Sequence, residues 1–565
     1  MKLTRNILVI TCVFLFIQGS KAQNKGNYLS NLCKVWGVLK YYHPAIQKGK
    51  LDWDTILINY IPKVESVKNN LEYNNIISEL ITEPKDVHKL KRPYQYLPKD
   101  TTVNNFNFEW IEDENILNKE NQERLFEVIE NYKPQKNIYN KKELNVYYLN
   151  TNLNKYFYKN NYNPDKAHAL LSLFRYWNII QYYYPHKKTN SINWNHVLDK
   201  YIPIVISSSG KNEFYDVIVH LFNETQSCHS FFTSYNWSNN YYYPPITLKY
   251  IENKTIVTDI ADTLSKITSL VKGDIIDSIN HKPTDSIRKM VRYCSSCPDN
   301  YIAEQRTGLY LLGVKPEDSL TLSVTDNFNN TKAIILKLNK NLFQYFNDYY
   351  ERQQPKKKNN ADSLYKIYPD KIAYLDMNLF SNRSLRNALS KLLNCKTWIL
   401  DYRSYPKYSP SSITRYITNK KKPLGILYKP NFKYPGTFSY HLQKTSMVMY
   451  LGKKFKGNII ILLDGNTQSS AEWQIMHIQA LTKPLLVGSN TAGADGGVVS
   501  ILLQNNILTY FTGTAVFYPN GKATERIGIQ PDIFVTPTIK GIKENRDEII
   551  EKALMEAKKI TNNNK

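Results

Sequence analysis

Two textures divide the chain. In the first, aromatic and aliphatic residues recur at three- and four-residue spacing, the pattern of short amphipathic helices. The stretch "VWGVLKYYHP" ending at Pro44 lies over "YWNIIQYYYP" ending at Pro185, at a shift of 141 residues and without a gap. "LDWDTILINYIPKV" lies over "INWNHVLDKYIPIV" at the same shift, so that Trp36/Trp177, Trp53/Trp194 and Pro62/Pro203 fall in register. The match fades through Glu83/Glu224. Two copies make a duplication rather than a solenoid, and helical packing accounts for most of these residues.

From about residue 245 the pattern becomes that of strands. "ITLKYIENKTIVTDI" alternates apolar and polar positions, and "LVKGDIIDSINHKP" places Gly273-Asp274 in a turn before another strand. A polar stretch rich in Lys, Gln and Asn follows, with "QPKKKNN" near 354–360 read as a solvated linker. Beyond it, apolar runs alternate with helical patterns: "KIAYLDMNLF", "SLRNALSKLL", "TWILDYRSYP", "NIIILLDG" and "PLLVGSNTAG". Strands alternating with helices predict an α/β core.

At 565 residues the chain is too long for one ordinary domain. Its first residues, "MKLTRNILVITCVFLFIQGSKAQ", carry Lys2 and Arg5, an apolar run from Ile7 to Ile17, and Ser20-Lys21-Ala22 before a polar start. This predicts a secretory signal over 1–22, cleaved after Ala22, and an exported chain, periplasmic or secreted. The run is too short for a membrane anchor, which needs about 18 or more apolar residues. No integral membrane segment is therefore expected after signal removal. The net charge of +25 suggests anionic partners when taken alone. Lys, Asn, Ile and Tyr are abundant throughout, however, and no single basic stripe dominates, so no nucleic-acid partner is expected. Of six cysteines, Cys12 leaves with the signal. Cys294 and Cys297 in "YCSSCPD" are the only close pair, either bridged or free. No set of ligands for a metal surrounds them, so neither metal nor cofactor is expected.

The turn "LLDGNTQSSAEW" puts Ser469 and Ser470 between a strand and a helix, where a serine serves as a cap or as a nucleophile. With "WILDYRSYP", "LLVGSNTAGADG" and "ATERIGIQPDIFV", it resembles the tail-specific, or C-terminal processing, serine peptidases. The resemblance covers roughly 245–540, including "KGDIIDSIN", which is similar to the strand–turn signature of PDZ domains. It implies a multidomain α+β protein: a duplicated helical N-terminal region, a PDZ-like β domain and an α/β peptidase core of the ClpP/crotonase kind. The expected boundaries are helical repeat 1 at 23–140, helical repeat 2 at 141–240, the PDZ-like domain at 241–343 and a linker at 344–367. The core is expected at 368–540, with a C-terminal helix and tail at 541–565.

The resemblance also implies roles. Thr467, Ser469 and Glu472 satisfy the family's T-x-S-x-x-E pattern, which makes Ser469 the nucleophile. A helix N-terminus after it directs free N–H groups toward developing negative charge. Many members take their base from a lysine about 25 residues later. Ala494 stands there in "TAGADGG", and Lys483 reads as a solvated loop residue. The branch that resembles the tricorn protease uses a histidine instead. "LFNETQSCHSFF" carries that pattern, with His229 as the base and Glu525 as the supporting carboxylate. Where the pattern has serine before the histidine, this chain has Cys228, whose thiol is the weaker hydrogen-bond partner; Ser227 or Ser230 is the substitute. His88 matches His229 across the duplication, so packing is the competing role, and His477 is a rival base. A histidine base predicts a rate that falls as pH drops through roughly 6–7. The oxyanion hole falls to the N–H of Ser470 and one from the turn after Asp401 and Arg403. That turn reads "SYPKYS", without glycines, and offers Lys407 or Tyr408.

The reading is an exported serine endopeptidase acting on polypeptides, whose C-termini the PDZ-like domain engages. The alternatives are a non-catalytic peptide or small-apolar-ligand binding protein on the same core, as in the retinoid carrier that resembles it, and a hydrolase of non-peptide esters or amides. The sequence specifies no oligomeric state.

Overall fold

The computed structural model describes residues 20–563 apart from 86, 92–102, 106, 136, 144–145, 150–162, 189–191, 209, 231, 234–240, 298, 316–317, 339, 342–343, 346–363, 419, 446–451 and 505–506. The signal sequence, Cys12 and the "QPKKKNN" stretch lie outside these residues. Among the described residues, no helix is long and apolar enough to cross a membrane.

Helices Ser20–Tyr42, Trp53–Ser66 and Asn70–Thr82 form one helical group, and Lys166–Tyr183, Trp194–Ser207 and Lys211–Asn223 a second. In the first group the indole N–H of Trp36 donates to the Trp53 carbonyl at 3.0 Å, and Trp53 donates back to Trp36 at 3.0 Å. Trp177 and Trp194 make the same reciprocal pair at 2.7 and 2.9 Å. Positions related by the 141-residue shift also face each other. The rings of Tyr41 and Tyr182 meet edge-on at 4.9 Å, and Gly37 lies against Asn178, whose amide occupies the space a Cβ at Gly37 would need. Equivalent positions of the two groups thus meet, with the small Gly37 making room for the larger Asn178.

The stretches expected as helical repeats, 23–140 and 141–240, also contribute strands. Strands Asn140–Glu143 and Val146–Leu149 leave the helical region and join Val498–Leu502, Leu508–Thr512 and Phe232–Thr233 in one five-stranded sheet. A strand is completed here by a partner more than 350 residues away, a pairing that local periodicity does not reveal. This sheet matters for the site, because Phe232 pairs with Thr509 and Thr233 with Leu508 in antiparallel register.

Residues 246–337 form an antiparallel sheet in the order 331–337, 319–325, 275–279, 254–260, 246–251, with the short strand Lys282–Pro283 beside 275–279. Helices Thr284–Val291 and Asn300–Thr307 accompany it. The core sheet runs Tyr365–Tyr368, Ile372–Asp376, Thr397–Asp401, Asn458–Leu463, Leu485–Gly488, Ile533–Phe534, and is parallel except for the first pair. Its central strands are buried on both faces, as their unbroken apolar runs require. Helix Ser470–Leu481 packs on one face, and Ile549, Ala553 and Ala557 of the C-terminal helix Glu548–Asn563 pack on the other. The core therefore begins inside the segment read as a linker, at Tyr365, and the expected C-terminal helix, Glu548–Asn563, supplies a layer of it.

Candidate active site

Ser469 ends the turn between strand Asn458–Leu463 and helix Ser470–Leu481. Its φ is +53°, a left-handed value that a side chain tolerates only when its surroundings impose it. Those surroundings are visible. Thr467 hangs the turn from the neighbouring strand end, donating its hydroxyl to the Tyr402 carbonyl at 3.0 Å. The Ser469 N–H donates to the Ala494 carbonyl at 2.9 Å and to Glu472 Oε2 at 3.1 Å. Glu472 is fully buried and also accepts from the Thr491 hydroxyl, the Gly493 N–H and the Ala494 N–H. It thus ties the serine turn to the 491–494 loop. Burial raises its carboxyl above the usual range, opposed by those donors. Ser470 opens the helix, and its N–H has no acceptor among the described residues.

His229 lies in the turn between helix Lys211–Asn223 and strand Phe232–Thr233. Extending the register of that strand by three residues sets His229 opposite Thr512, and the contact is made: Nδ1 is 2.9 Å from Thr512 Oγ1. Thr512 in turn donates to Glu525 at 3.1–3.2 Å. A relay runs from the imidazole through the threonine hydroxyl to the carboxylate, with Ser227 Oγ 3.2 Å from the same hydroxyl. In that arrangement Nδ1 carries the proton and Nε2 presents a lone pair; Nε2 has no hydrogen-bond partner among the described residues. Burial, helped by the nearby Arg306 charge, lowers the His229 pKa to about 3, so the ring is neutral at physiological pH. Glu525 is pushed up to about 8 by burial, against hydrogen bonds from Ser227 and Thr512.

One side chain joins the two halves. Arg306 donates to the Cys228 carbonyl at 2.6 Å and to Gln468 Oε1 at 2.6 Å, the residues immediately before His229 and Ser469. His229 and Ser469 are not themselves hydrogen-bonded in this structure, and productive contacts of this kind commonly tighten only once substrate is bound.

Several expectations change. Cys228 is not a thiol beside the histidine: it is bridged to Cys297, 69 residues away. Cys294 is free, so neither a Cys294–Cys297 bridge nor a pair of free thiols is present. Ser230 does not replace the missing serine, because its hydroxyl pairs with Thr225 Oγ1 at 2.8 Å. Ala494 is fully buried against the Cys228–Cys297 bridge, while Lys483 is exposed. His477 lies within the helix, packed on Trp473 at 4.2 Å, with both ring nitrogens buried and without a hydrogen-bond partner among the described residues. Two helical turns separate it from Ser469, and its ring has no route there. Lys407 is exposed; its turn is tied to the helix one residue on, where the Tyr408 carbonyl accepts from Gln474 at 3.1 Å. Thr512 and Arg306 carry no motif and escape a reading of the sequence.

Residues 371–535 match the model of peptidase family S41, a span that holds Asp401, Ser469 and Glu525. The core of the chain belongs to this family. The protein is a serine-type peptidase, and its His229 arm lies outside the matched span. Among solved structures it is similar to mature CPAF complexed with lactacystin, with a TM-score of 0.55 and 13% identity over 70% of this chain and 99% of that one. It is also similar to mature CPAF alone, at 0.51 and 12% over 67% and 94%. At this identity the likeness concerns the fold. No curated protein sequence matches the chain significantly.

Proposed function

We propose that the protein is an exported serine endopeptidase in which Ser469 is the nucleophile, His229 the general base and Glu525 the carboxylate that acts through Thr512. The observation that carries this reading is the relay from His229 Nδ1 to Glu525, which leaves Nε2 to accept a proton. Ser469 Oγ attacks the peptide carbonyl carbon while Nε2 takes the hydroxyl proton. Nε2 then gives that proton to the departing amine, and water hydrolyses the acyl-enzyme by the same route. Ser470 N–H receives the oxyanion, a donor whose loss typically costs about 10²–10³ in rate. The second donor is assigned to the backbone at Lys407 or Tyr408.

The sheet of residues 246–337 is read as the PDZ-like domain, engaging substrate C-termini by strand addition. The equivalent tryptophan pairs of the two helical groups favour descent by duplication, with catalysis assigned to the second copy alone. The charged amino-terminal segment favours export. The alternative, a binding protein on this core, predicts retention of ligand without turnover.

The test uses residues 23–565 and an unfolded polypeptide followed by mass spectrometry. The peptidase reading expects cleavage by the natural sequence and none by Ser469→Ala. Binding without cleavage by both would favour the carrier.

A further inference from the structure

The turn that carries His229 is bonded on one side to Thr512 and on the other to Ser296, Cys297 and Arg306. Cys297 is bonded covalently to Cys228, the residue before the histidine. Ser296 Oγ lies 2.5 Å from both the Ser227 and Ser230 carbonyls, so its one proton is shared between acceptors on either side of the histidine. Arg306 takes the Cys228 carbonyl and reaches on to Gln468. Cys228 and Cys297 share one buried apolar cluster with Ile302, Ala303, Ala492 and Ala494. Ala494 is also the residue whose carbonyl receives the Ser469 N–H. The cluster that holds the bridge therefore also holds the residue that anchors the serine turn.

We propose that the Cys228–Cys297 disulfide is a positioning element for the general base, so that the peptidase works in its oxidised form and slows when the bridge is reduced. The inference rests on His229 being that base. Reduction by a dithiol supplies two electrons and two protons: the S–S bond breaks, thiols form on Cys228 and Cys297, and the reagent leaves as its cyclic disulfide. Air or glutathione disulfide reverses the step. Once the bridge is cut, only non-covalent contacts tie the turn to residues 296, 297 and 306. Displacements of about 1 Å at a reacting group cost up to about 10²-fold. An exported chain meets the oxidising conditions in which such a bridge persists. The cysteine that replaces the serine of the related pattern would thus orient the histidine by a covalent tether instead of a hydroxyl.

The experiment measures the rate at which a fluorophosphonate labels Ser469, with thiols at 228 and 297 counted by alkylation and peptide mass. The oxidised protein should label fastest. Dithiothreitol should slow it by at least about tenfold, and glutathione disulfide should restore it. Cys228→Ala/Cys297→Ala should be slow in either condition, whereas Cys294→Ala should respond as the natural sequence does. The pH profile gives an independent readout. A histidine released from its buried setting titrates nearer its ordinary value, so the acid limb of labelling should move up toward pH 6–7 on reduction. An unchanged rate and profile with both thiols free would overturn the proposal. Loss of cooperative melting at the assay temperature would overturn it too, because the bridge would then be a staple of the fold. His229→Ala separates the two readings. If it labels slowly while reduction has no effect, only the positioning role fails. If it labels at the natural rate, the base assignment fails with it.

Discussion

Thr512→Val removes one oxygen and keeps the side chain's shape, so it tests the relay without opening a cavity. The hydroxyl stands 2.9 Å from His229 Nδ1, 3.2 Å from Ser227 and 3.1–3.2 Å from the Glu525 oxygens. Thr512 is fully buried. The variant leaves Nδ1–H without an acceptor, at a cost of about 1–3 kcal/mol. The ring can escape that cost by moving its proton to Nε2, the tautomer that cannot accept from serine. At about 1.4 kcal/mol per decade, kcat/KM should fall roughly tenfold to 10²-fold. Thr509→Val, on the same strand, is the control. That hydroxyl is equally buried but has no partner among the described residues, so its removal should leave turnover unchanged. The assay is kcat/KM on an unfolded polypeptide at pH 7, with melting temperatures recorded for both variants. Equal activity of the two would refute the relay.

His229→Ala should lower turnover by at least about 10²-fold, the scale of general-base catalysis, while His88→Ala, at an exposed position, should leave it unchanged; steady-state kinetics decides. Because burial holds His229 at about 3, turnover should stay flat from pH 7 down to 5 rather than fall through 6–7. Glu525 is raised to about 8, so it is protonated below that pH and charged above it. The rate should climb between pH 7 and 9 as the relay gains a negative end, and Glu525→Gln should abolish the climb. His477 is depressed to about 4 by burial. As pH falls below about 6.5 the unfolded chain takes a proton there before the folded one does, removing up to about 1.4 kcal/mol of stability per pH unit. His477→Leu should keep turnover and lose less stability between pH 7 and 5, which denaturant midpoints at the two pH values measure.

The parts of the site that were legible from the chain are those whose chemistry is written locally. Ser469 lies in a turn with a fixed polar spacing, and Glu525 and His229 lie in short stretches of recognisable texture. Even there, the role of Glu472 becomes clear only in three dimensions, as the buried acceptor that joins the serine turn to the 491–494 loop. Thr512 is illegible for a physical reason. It occupies an alternating strand like any other threonine, and only the pairing of Phe232 with Thr509 sets it opposite His229. The Cys228–Cys297 bridge is hidden in the same way, since proximity in sequence favoured Cys294 while proximity in space joined residues from different domains. The strands Asn140–Glu143 and Val146–Leu149 were read as part of a helical region because their partner strand comes from the far end of the chain. Burial also changes the expected pH dependence, since residue type alone gives the ordinary imidazole value and the buried setting of His229 lowers it.

The central claim is that Ser469 attacks and His229 takes its proton. It is tested most directly by the rate of fluorophosphonate labelling, with the modified residue located by peptide mass, in the natural sequence and in folded His229→Ala. The account predicts stoichiometric labelling at Ser469 and a rate at least about 10²-fold lower in the variant. An unlabelled Ser469 in the folded, oxidised protein, or equal rates in the two, would contradict it.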